Sequence, residues 1–293
     1  MEVLKLTPKE FSRFAKLVYD RTGISLADRK LALLSNRLRR RLKALNLETF
    51  DAYYKYVSSP SGMSDDELAH FLSAVTTNET YFFRNEKLWT TFETDLIPYF
   101  VRTKGDKNRT LRIWSAASSS GEEAYTAAIA LRENLPGFDR WQITIIGTDI
   151  SKKMLDKAKQ AVYGEYAVSR MDKTRIKTWF DASPGEFRLK PEVRKMVRFQ
   201  FHNLRESFPN GRFDLVFLRN VLMYFDTPMK LRVLEVVTEA LAPGGHLIIG
   251  DVDPVSSCDE LREALTLEKI RPGTYCKPNA RSVELPKKEL VTR

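Results

Sequence analysis

The sequence has few of the residues that build disulfide frameworks and metal sites. It contains only two cysteines, Cys258 and Cys276, and three histidines, at positions 70, 202 and 246. The cysteines form no CxxC pair and the histidines are dispersed, so neither a disulfide framework nor a zinc-ligand cluster is expected. We therefore predict a protein without a structural metal.

Long apolar segments are also missing. No segment approaches the roughly 18 to 20 uninterrupted apolar residues that a membrane helix needs. The opening segment, MEVLKLTPKEFSRFAK, lacks a basic stretch followed by an apolar one, so nothing suggests export. The composition, 43% hydrophobic and 11% aromatic over 293 residues, is that of a globular protein with an ample core. We expect a soluble, cytoplasmic protein without membrane insertion.

Helical periodicity dominates the first part of the chain. Apolar residues recur at steps of three and four in residues 8–22 and again in residues 27–45. Further helices are predicted over residues 49–57 and 65–75, the last with Ser64 as its N-cap. The sequence therefore predicts a small all-helical domain, residues 1–88, ahead of a larger domain, residues 89–293.

The second predicted helix is strongly basic. Arg37, Arg40 and Arg41 are related by steps of three and four, which places them on its exposed arc. No carboxylate occurs between Asp28 and Glu48, and the whole chain carries a formal charge of +10 from 48 basic and 38 acidic residues. A solvated helix face is one interpretation of such a run; a surface for an acidic partner is the other, because solvated faces usually mix the two signs.

Short β-rich runs alternate with helical segments from Leu111 onward. LRIW, QITIIGTD, VRFQF, DLVFL and HLIIG are the predicted strands of a parallel sheet with helices on its faces. We predict a doubly wound, Rossmann-like α/β domain after the helical one. Its ligand should bind at the carboxyl ends of the first strands, where the strand order switches.

Two of these strand ends carry residues suited to a nucleoside with no phosphate. The first leads into WSAASSSGEE, a small-residue loop that is neither GxGxxG nor GxxxxGK[ST] and that places Glu122 and Glu123 at a helix start. These carboxylates either complement the helix dipole or face a cationic ligand group. The second strand ends at Asp149, which either caps the next helix or accepts hydrogen bonds from ribose hydroxyls; Ser151 competes for the capping position. S-adenosylmethionine fits this combination.

Four motifs, in order, resemble the CheR-type methyltransferases that modify chemoreceptor glutamates: NETYFFRN, WSAASSSGEEAY, GTDISKKMLDKA and FDLVFLRNVLMYFD. The resemblance covers nearly the whole chain and includes NRLRRRLKALNLETFDAYY, which is similar to the family's receptor-recognition helix. It implies methyl transfer from S-adenosylmethionine to glutamate carboxylates, giving glutamyl methyl esters and S-adenosylhomocysteine without a metal. A glutamate is already ionised at neutral pH, so in-line displacement needs no general base.

The resemblance also implies site residues. Its cofactor contacts fall on Asn78, Thr80, Arg84, Glu123, Asp149, Asn203, Leu204, Arg219 and Asn220, with the Asn203–Leu204 pair flanking the adenine. Arg84, Arg219 and Tyr224 are expected nearest the chemistry. Arg37, Arg40 and Arg41 are expected to bind the acidic methylation helices of the receptors. Phe82 and Phe83 are expected to pack the junction between the two domains and to anchor the polar residues beside them.

Two alternatives to this function remain open at this point. GDVDP, Gly250 to Pro254, stands where the family usually has GHSE, and this departure allows a signalling module that binds the cofactor but has lost transfer activity. The basic helix allows an RNA methyltransferase, but aromatic residues are not interleaved with the basic run, so nucleic acid is disfavoured. Between Tyr163 and Val197 only EFRL is predicted as a strand.

Overall fold

A computed structural model describes residues 4–60, 66–76, 78–105, 108–209, 211–255 and 257–279. Within these residues, four helices form the first part of the molecule. They are α1 (Pro8–Thr22), α2 (Leu31–Ala44), α3 (Phe50–Ser58) and α4 (Asp66–Val75), with a 3-10 turn at Asp28–Lys30 before α2. A capping box between Thr7 and Glu10 begins α1, and Gly23, in the left-handed conformation at φ 76°, ends it. The predicted N-cap Ser64 lies outside the described residues.

The apolar stripes of these helices meet in a core of their own. Phe14, Tyr53 and Phe71 are fully buried there, with ring centroids 5.9 to 6.3 Å apart. Glu67 is buried beside them and accepts a hydrogen bond from the Tyr53 hydroxyl at 2.6 Å. Arg41 donates to both oxygens of the Glu67 carboxylate, so one arginine of α2 neutralises a buried charge of its own domain.

A long interrupted helix leads into the sheet. It consists of α5 (Glu86–Thr91), a π-helical turn (Phe92–Leu96) and α6 (Ile97–Lys104). Asp95, inside the π turn, is buried and pairs with Arg271 at 2.7 Å. A stretch rich in Thr, Phe and Leu between Trp89 and Gly105 is typical of a single helix, and this pattern does not indicate the π turn.

A seven-stranded sheet forms the second part of the molecule. Its strands, in chain order, are β1 (Thr110–Ala116), β2 (Gln142–Asp149), β6 (Val197–Phe201), β7 (Phe213–Leu218), β8 (Leu241–Ile249), β9 (Glu268–Arg271) and β10 (Thr274–Cys276). They lie in the order β6-β2-β1-β7-β8-β10-β9, parallel except for the pairings of β10 with β8 and β9. The chain runs to one side of β1 and then returns to the other at β7. The predicted doubly wound fold is confirmed.

Helices cover both faces of this sheet. They are α7 (Glu122–Asn134), α8 (Lys152–Gln160), α12 (Thr227–Ala240) and α13 (Asp259–Ala264). All six residues of β7 are buried, as expected for a central parallel strand. Ser151 caps α8 by accepting the Met154 N–H.

A small antiparallel sheet interrupts the second part of the molecule. It consists of β3 (Val162–Tyr163), β4 (Phe180–Ser183) and β5 (Glu186–Leu189), in the order β3-β5-β4, with short helices α9 (Glu165–Val168), α10 (Lys173–Trp179) and α11 (Pro191–Arg194) around it. The sequence predicts only β5 of these strands, because the other two are short and β4 is largely exposed. Phe180 of β4 packs edge-on against Phe82.

The helical part packs over the carboxyl ends of the parallel strands. Ile24, just after α1, forms an antiparallel bridge with Phe225, and the Ser25 N–H donates to the Tyr224 carbonyl at 2.8 Å. The Tyr19 hydroxyl donates to Asp226 at 2.8 Å. The segment after α1 therefore closes one side of the strand edge where a ligand is expected. In the residues that the structure describes, no helix is long and apolar enough to cross a membrane.

Candidate active site

A cavity of about 1090 Å³, including its open mouth, lies between the helical part and the carboxyl ends of β1, β2, β6 and β7. It is placed at the point where the strand order switches, as doubly wound folds require. Ten predicted residues line it: Asn78, Thr80, Arg84, Glu123, Asp149, Asn203, Leu204, Arg219, Asn220 and Tyr224. Residues far apart in sequence thus converge on one enclosed space.

Asp149 holds the loop that follows β1. Its carboxylate accepts the backbone N–H of Ser119 at 2.9 Å and that of Ser151 at 2.8 Å, while Ser119 and Ala117 adopt positive φ values of 50° and 59°. Burial raises the pKa of Asp149, and these backbone donors partly oppose the rise. Each carboxylate oxygen can accept a second hydrogen bond, so the group can fix the loop and still bind ligand hydroxyls.

A buried ion pair joins the start of α7 to the loop after β7. Arg219, after β7, donates to Glu123 at 2.9 Å, and Glu123 also accepts the Ser115 hydroxyl at 2.7 Å. The second terminal nitrogen of Arg219 donates to the Arg84 carbonyl at 2.7 Å. The Arg219 side chain is only 3% exposed, and its Nε has no acceptor among the described residues. An anionic and a cationic group are therefore held side by side at the cavity wall.

The segment NETYFFRN divides between core and cavity. Phe82 and Phe83 are buried, Phe82 against Tyr163 of the small sheet and Phe83 beneath the Arg175 guanidinium. Both belong to the core of the sheet-containing part rather than to a seam with the helical core. Asn78, Thr80 and Arg84 line the cavity beside them, and the Ser119 hydroxyl donates to the Asn78 carbonyl at 3.2 Å.

His202 and its neighbours form the opposite wall. Asn203 donates through its amide to the Arg21 carbonyl at 2.9 Å, so the loop after β6 is tied to the helical part. The His202 ring lies 5.6 Å from that of Trp114 and 5.0 Å from that of Phe208. Burial lowers the pKa of His202, which favours the neutral imidazole within this aromatic cluster.

The three arginines predicted to bind the receptor do not share one exposed face. Arg40 is exposed, but Arg41 pairs with Glu67 and Arg37 donates to the carbonyls of Ala74 and Thr76 at 3.1 and 2.9 Å. The prediction of a common exposed arc is wrong for these two. Their partners come from α4 and its C-terminal end, which the spacing of residues along α2 does not reveal.

Lys30 is a cavity residue that sequence reasoning missed. It lines the cavity with Thr22 and Ile24 from the helical part, and its ammonium lies 5.2 Å from the centre of the Tyr224 ring. Burial, with the nearby charges of Arg29 and Arg37, lowers the pKa of Lys30. In the sequence, Lys30 is marked only by its position just before a basic helix. It is recognised as a cavity residue only once the helical part is seen packed against the sheet.

Glu122 faces away from the cavity and is buried. Both of its oxygens accept from the Ser120 hydroxyl, at 2.8 and 2.9 Å, and burial raises the pKa of Glu122 to about 7. The two carboxylates at the start of α7 are thus separated in role: Glu123 faces the cavity and Glu122 the protein interior.

Replacing Glu122 by glutamine is expected to stabilise the protein at pH 8 but not at pH 5. The raised pKa means that the folded state holds the Glu122 proton more tightly than the unfolded chain does. The stabilisation that Glu122 gives is therefore complete below about pH 4.5 and is lost as pH rises through about 7. Between these limits the free energy of unfolding falls by roughly 3 kcal/mol. Thermal unfolding at both pH values tests this, with exposed Glu165→Gln as the control. Equal Tm differences at pH 5 and pH 8 would contradict it.

Fold and cavity together are those of an S-adenosylmethionine-dependent methyltransferase. The model of the "CheR methyltransferase, all-alpha domain" matches residues 9–76, and that of the "CheR methyltransferase, SAM binding domain" matches residues 78–270. The chain belongs to the CheR methyltransferase family. In the residues described here, no three His, Cys, Asp or Glu side chains converge as a metal site would need.

Curated relatives match along most of their length. A chemotaxis protein methyltransferase of Borreliella burgdorferi is 32% identical over 94% of this chain and 96% of its own. Chemotaxis protein methyltransferase 1 of Vibrio cholerae is 32% identical over 94% of this chain and 99% of its own. Chemotaxis protein methyltransferase 2 of Pseudomonas aeruginosa is 36% identical over 83% of this chain and 86% of its own. The similarity therefore spans both the helical part and the sheet.

Proposed function

We propose that this enzyme transfers the methyl group of S-adenosylmethionine to glutamate carboxylates of chemoreceptors, giving glutamyl methyl esters. The family and the chemotaxis relatives support the pathway. The observation that carries the choice of acceptor is the cation at the cavity wall: Lys30 lies over Tyr224 where the helical part meets the loop after β7. A positive group there favours an anionic acceptor over a neutral hydroxyl or amide.

The cavity residues fit the cofactor. Asp149 has acceptor capacity left for the ribose hydroxyls, and Leu204 and Ile150 provide apolar surface for the base. Glu123 is suited to the ammonium of the cofactor's amino acid end, and Arg219, whose buried Nε lacks an acceptor among the described residues, to its carboxylate. Asn78, Thr80, Arg84, Asn203 and Asn220 complete the proposed contacts.

The residues around the acceptor act by position and charge. When bound, S-adenosylmethionine would supply a methyl group on a positively charged sulfur; an ionised carboxylate could accept that methyl without losing a proton, with S-adenosylhomocysteine as the leaving group. Lys30 and Arg84 would hold the incoming carboxylate, and Tyr224 would border its path. The helical part covers this side of the cavity, and the reduced access of solvent would favour a reaction that neutralises two opposite charges.

The proposal is tested by incubating the protein with methyl-labelled S-adenosylmethionine and the cytoplasmic fragment of a chemoreceptor. The expected product is a labelled receptor whose methyl group is released as methanol by mild base, since esters hydrolyse where methylated amines do not. S-adenosylhomocysteine should inhibit the reaction. Label that resists base would contradict glutamate as the acceptor, and label appearing on RNA in place of the receptor fragment would favour the alternative substrate.

Replacing Lys30 by methionine is expected to lower kcat/KM for the receptor fragment by about tenfold or more, while S-adenosylhomocysteine binds within twofold of the wild-type affinity. Methionine keeps the apolar stem but removes the charge that would attract the acceptor, an effect worth about 1 to 2 kcal/mol at a half-buried site. Lys43→Met, at an exposed position on the basic helix α2 that follows Lys30, is the matched control. An equal loss in both variants would assign the effect to overall charge rather than to the cavity.

A further inference from the structure

The GDVDP segment that departs from the family motif makes a specific buried contact with the site. Asp253 is 3% exposed, and its carboxylate accepts the backbone N–H of Asn220 at 2.7 Å. Burial raises the pKa of Asp253, and the backbone N–H groups of Asn220, Leu222 and Met223 partly oppose the rise. One acidic side chain, from the loop after β8, thus faces several backbone donors of the loop after β7.

The loop that Asp253 holds is strained and carries cavity residues. Asn220 has φ 58°, in the left-handed region that residues other than glycine rarely adopt. It lies between Arg219 and the 3-10 turn Leu222–Tyr224, and so between the buried ion pair and Tyr224. Backbone N–H groups around a left-handed residue can form a concave anion site, and the Asp253 carboxylate lies against the N–H groups of this loop.

The same segment contacts the other side of the cavity. Asp251 accepts a hydrogen bond from the Asn85 side chain, next to the Arg84 carbonyl that Arg219 contacts. Gly250 allows the close approach, because a Cβ there would lie 2.7 Å from the Asp253 carboxylate and 3.0 Å from the Asn220 nitrogen. Loops after β7 and β8 and the segment after Arg84 are therefore joined through Gly250, Asp251 and Asp253.

We infer that Asp253 is a positioning residue that sets the cofactor-binding conformation of residues 219–224, and that Gly250 provides the space this contact requires. Asp253 acts on the cofactor only through the backbone of Asn220 and its neighbours. GDVDP is then, for cofactor binding, a functional replacement of the family's motif within this chain. The inference rests on the proposed contacts of Arg219 and Asn220 with the cofactor.

Calorimetric binding of S-adenosylhomocysteine to the full-length protein tests the inference. Asp253→Ala is expected to raise the Kd by tenfold or more, and Asp253→Asn, which keeps an acceptor for the Asn220 N–H, by about threefold. Asp214→Ala is the matched control: Asp214 is also buried and accepts the Arg112 N–H at 2.9 Å, but at the opposite end of β7. That variant should lose thermal stability and keep the wild-type Kd.

A second pair of variants leaves every charge in place. Gly250→Ala inserts a methyl group between the two bonded atoms and should also raise the Kd by tenfold or more, whereas Gly164→Ala, with no atom within 4 Å of its Cβ, should not. Folded Asp253→Ala or Gly250→Ala protein that binds within twofold of wild type would overturn the inference. Failure of the wild-type protein to bind S-adenosylhomocysteine would instead overturn the proposed site.

Discussion

Replacing Arg219 by methionine is expected to weaken S-adenosylhomocysteine binding by at least a hundredfold and to lower the free energy of unfolding by about 3 to 5 kcal/mol. The side chains of Arg219 and Glu123 are 3% and 13% exposed, and their atoms lie 2.9 Å apart. Removing one partner leaves a largely buried carboxylate without its counter-charge, and it also removes the bond to the Arg84 carbonyl. Calorimetry and thermal unfolding measure the two effects separately.

The double variant Arg219→Met, Glu123→Gln separates folding from binding. With both charges removed, no buried ion remains uncompensated, so most of the lost stability should return. Binding should not return, because the proposed partners of the cofactor's amino acid end are both gone. Recovery of binding in the double variant would show that Arg219 acts through stability alone, and the proposed contact would then be wrong.

The sheet was largely predictable because its central strands are rich in buried apolar residues. A continuous apolar run such as residues 215–218 is typical of a buried parallel strand, and QITIIGTD matches β2 from end to end. β3 and β4 were not predicted, since strands of two and four residues are too short to show a periodicity. The π turn at Phe92–Leu96 was likewise invisible, because the hydrophobic period continues through it.

Site residues were predictable where the topology alone places them. Parallel strands put their carboxyl ends on one edge, so Glu123 and Asp149 were expected near one another, and the family resemblance added Arg219 to them. Lys30 and Asp253 were missed because each depends on a contact between elements distant in sequence. Arg41 was misplaced for the same reason: the period of α2 gives its angular position but not the buried Glu67 that meets it. Periodicity defines a face, and only packing shows what covers that face.

Replacing Asp149 by alanine is the second change with a large expected effect, a loss of at least a hundredfold in S-adenosylhomocysteine affinity. Two separate causes would contribute. The carboxylate fixes the loop after β1 through the Ser119 and Ser151 N–H groups, and its remaining lone pairs are the proposed acceptors for the ribose hydroxyls. A loss in affinity alone would not separate these roles, because displacement of the loop would also weaken binding.

A cofactor analogue without one ribose hydroxyl distinguishes the two causes. If Asp149 binds the ribose, 2′-deoxy-S-adenosylhomocysteine should bind the wild-type protein about tenfold more weakly than the parent compound, as expected for a lost charged hydrogen bond. Asp149→Asn should then show a much smaller difference between the two ligands, since the hydroxyl no longer meets a charged acceptor. An unchanged difference in Asp149→Asn would limit Asp149 to holding the loop, because a residue that never contacts the ribose cannot alter the discrimination between ligands that differ only there.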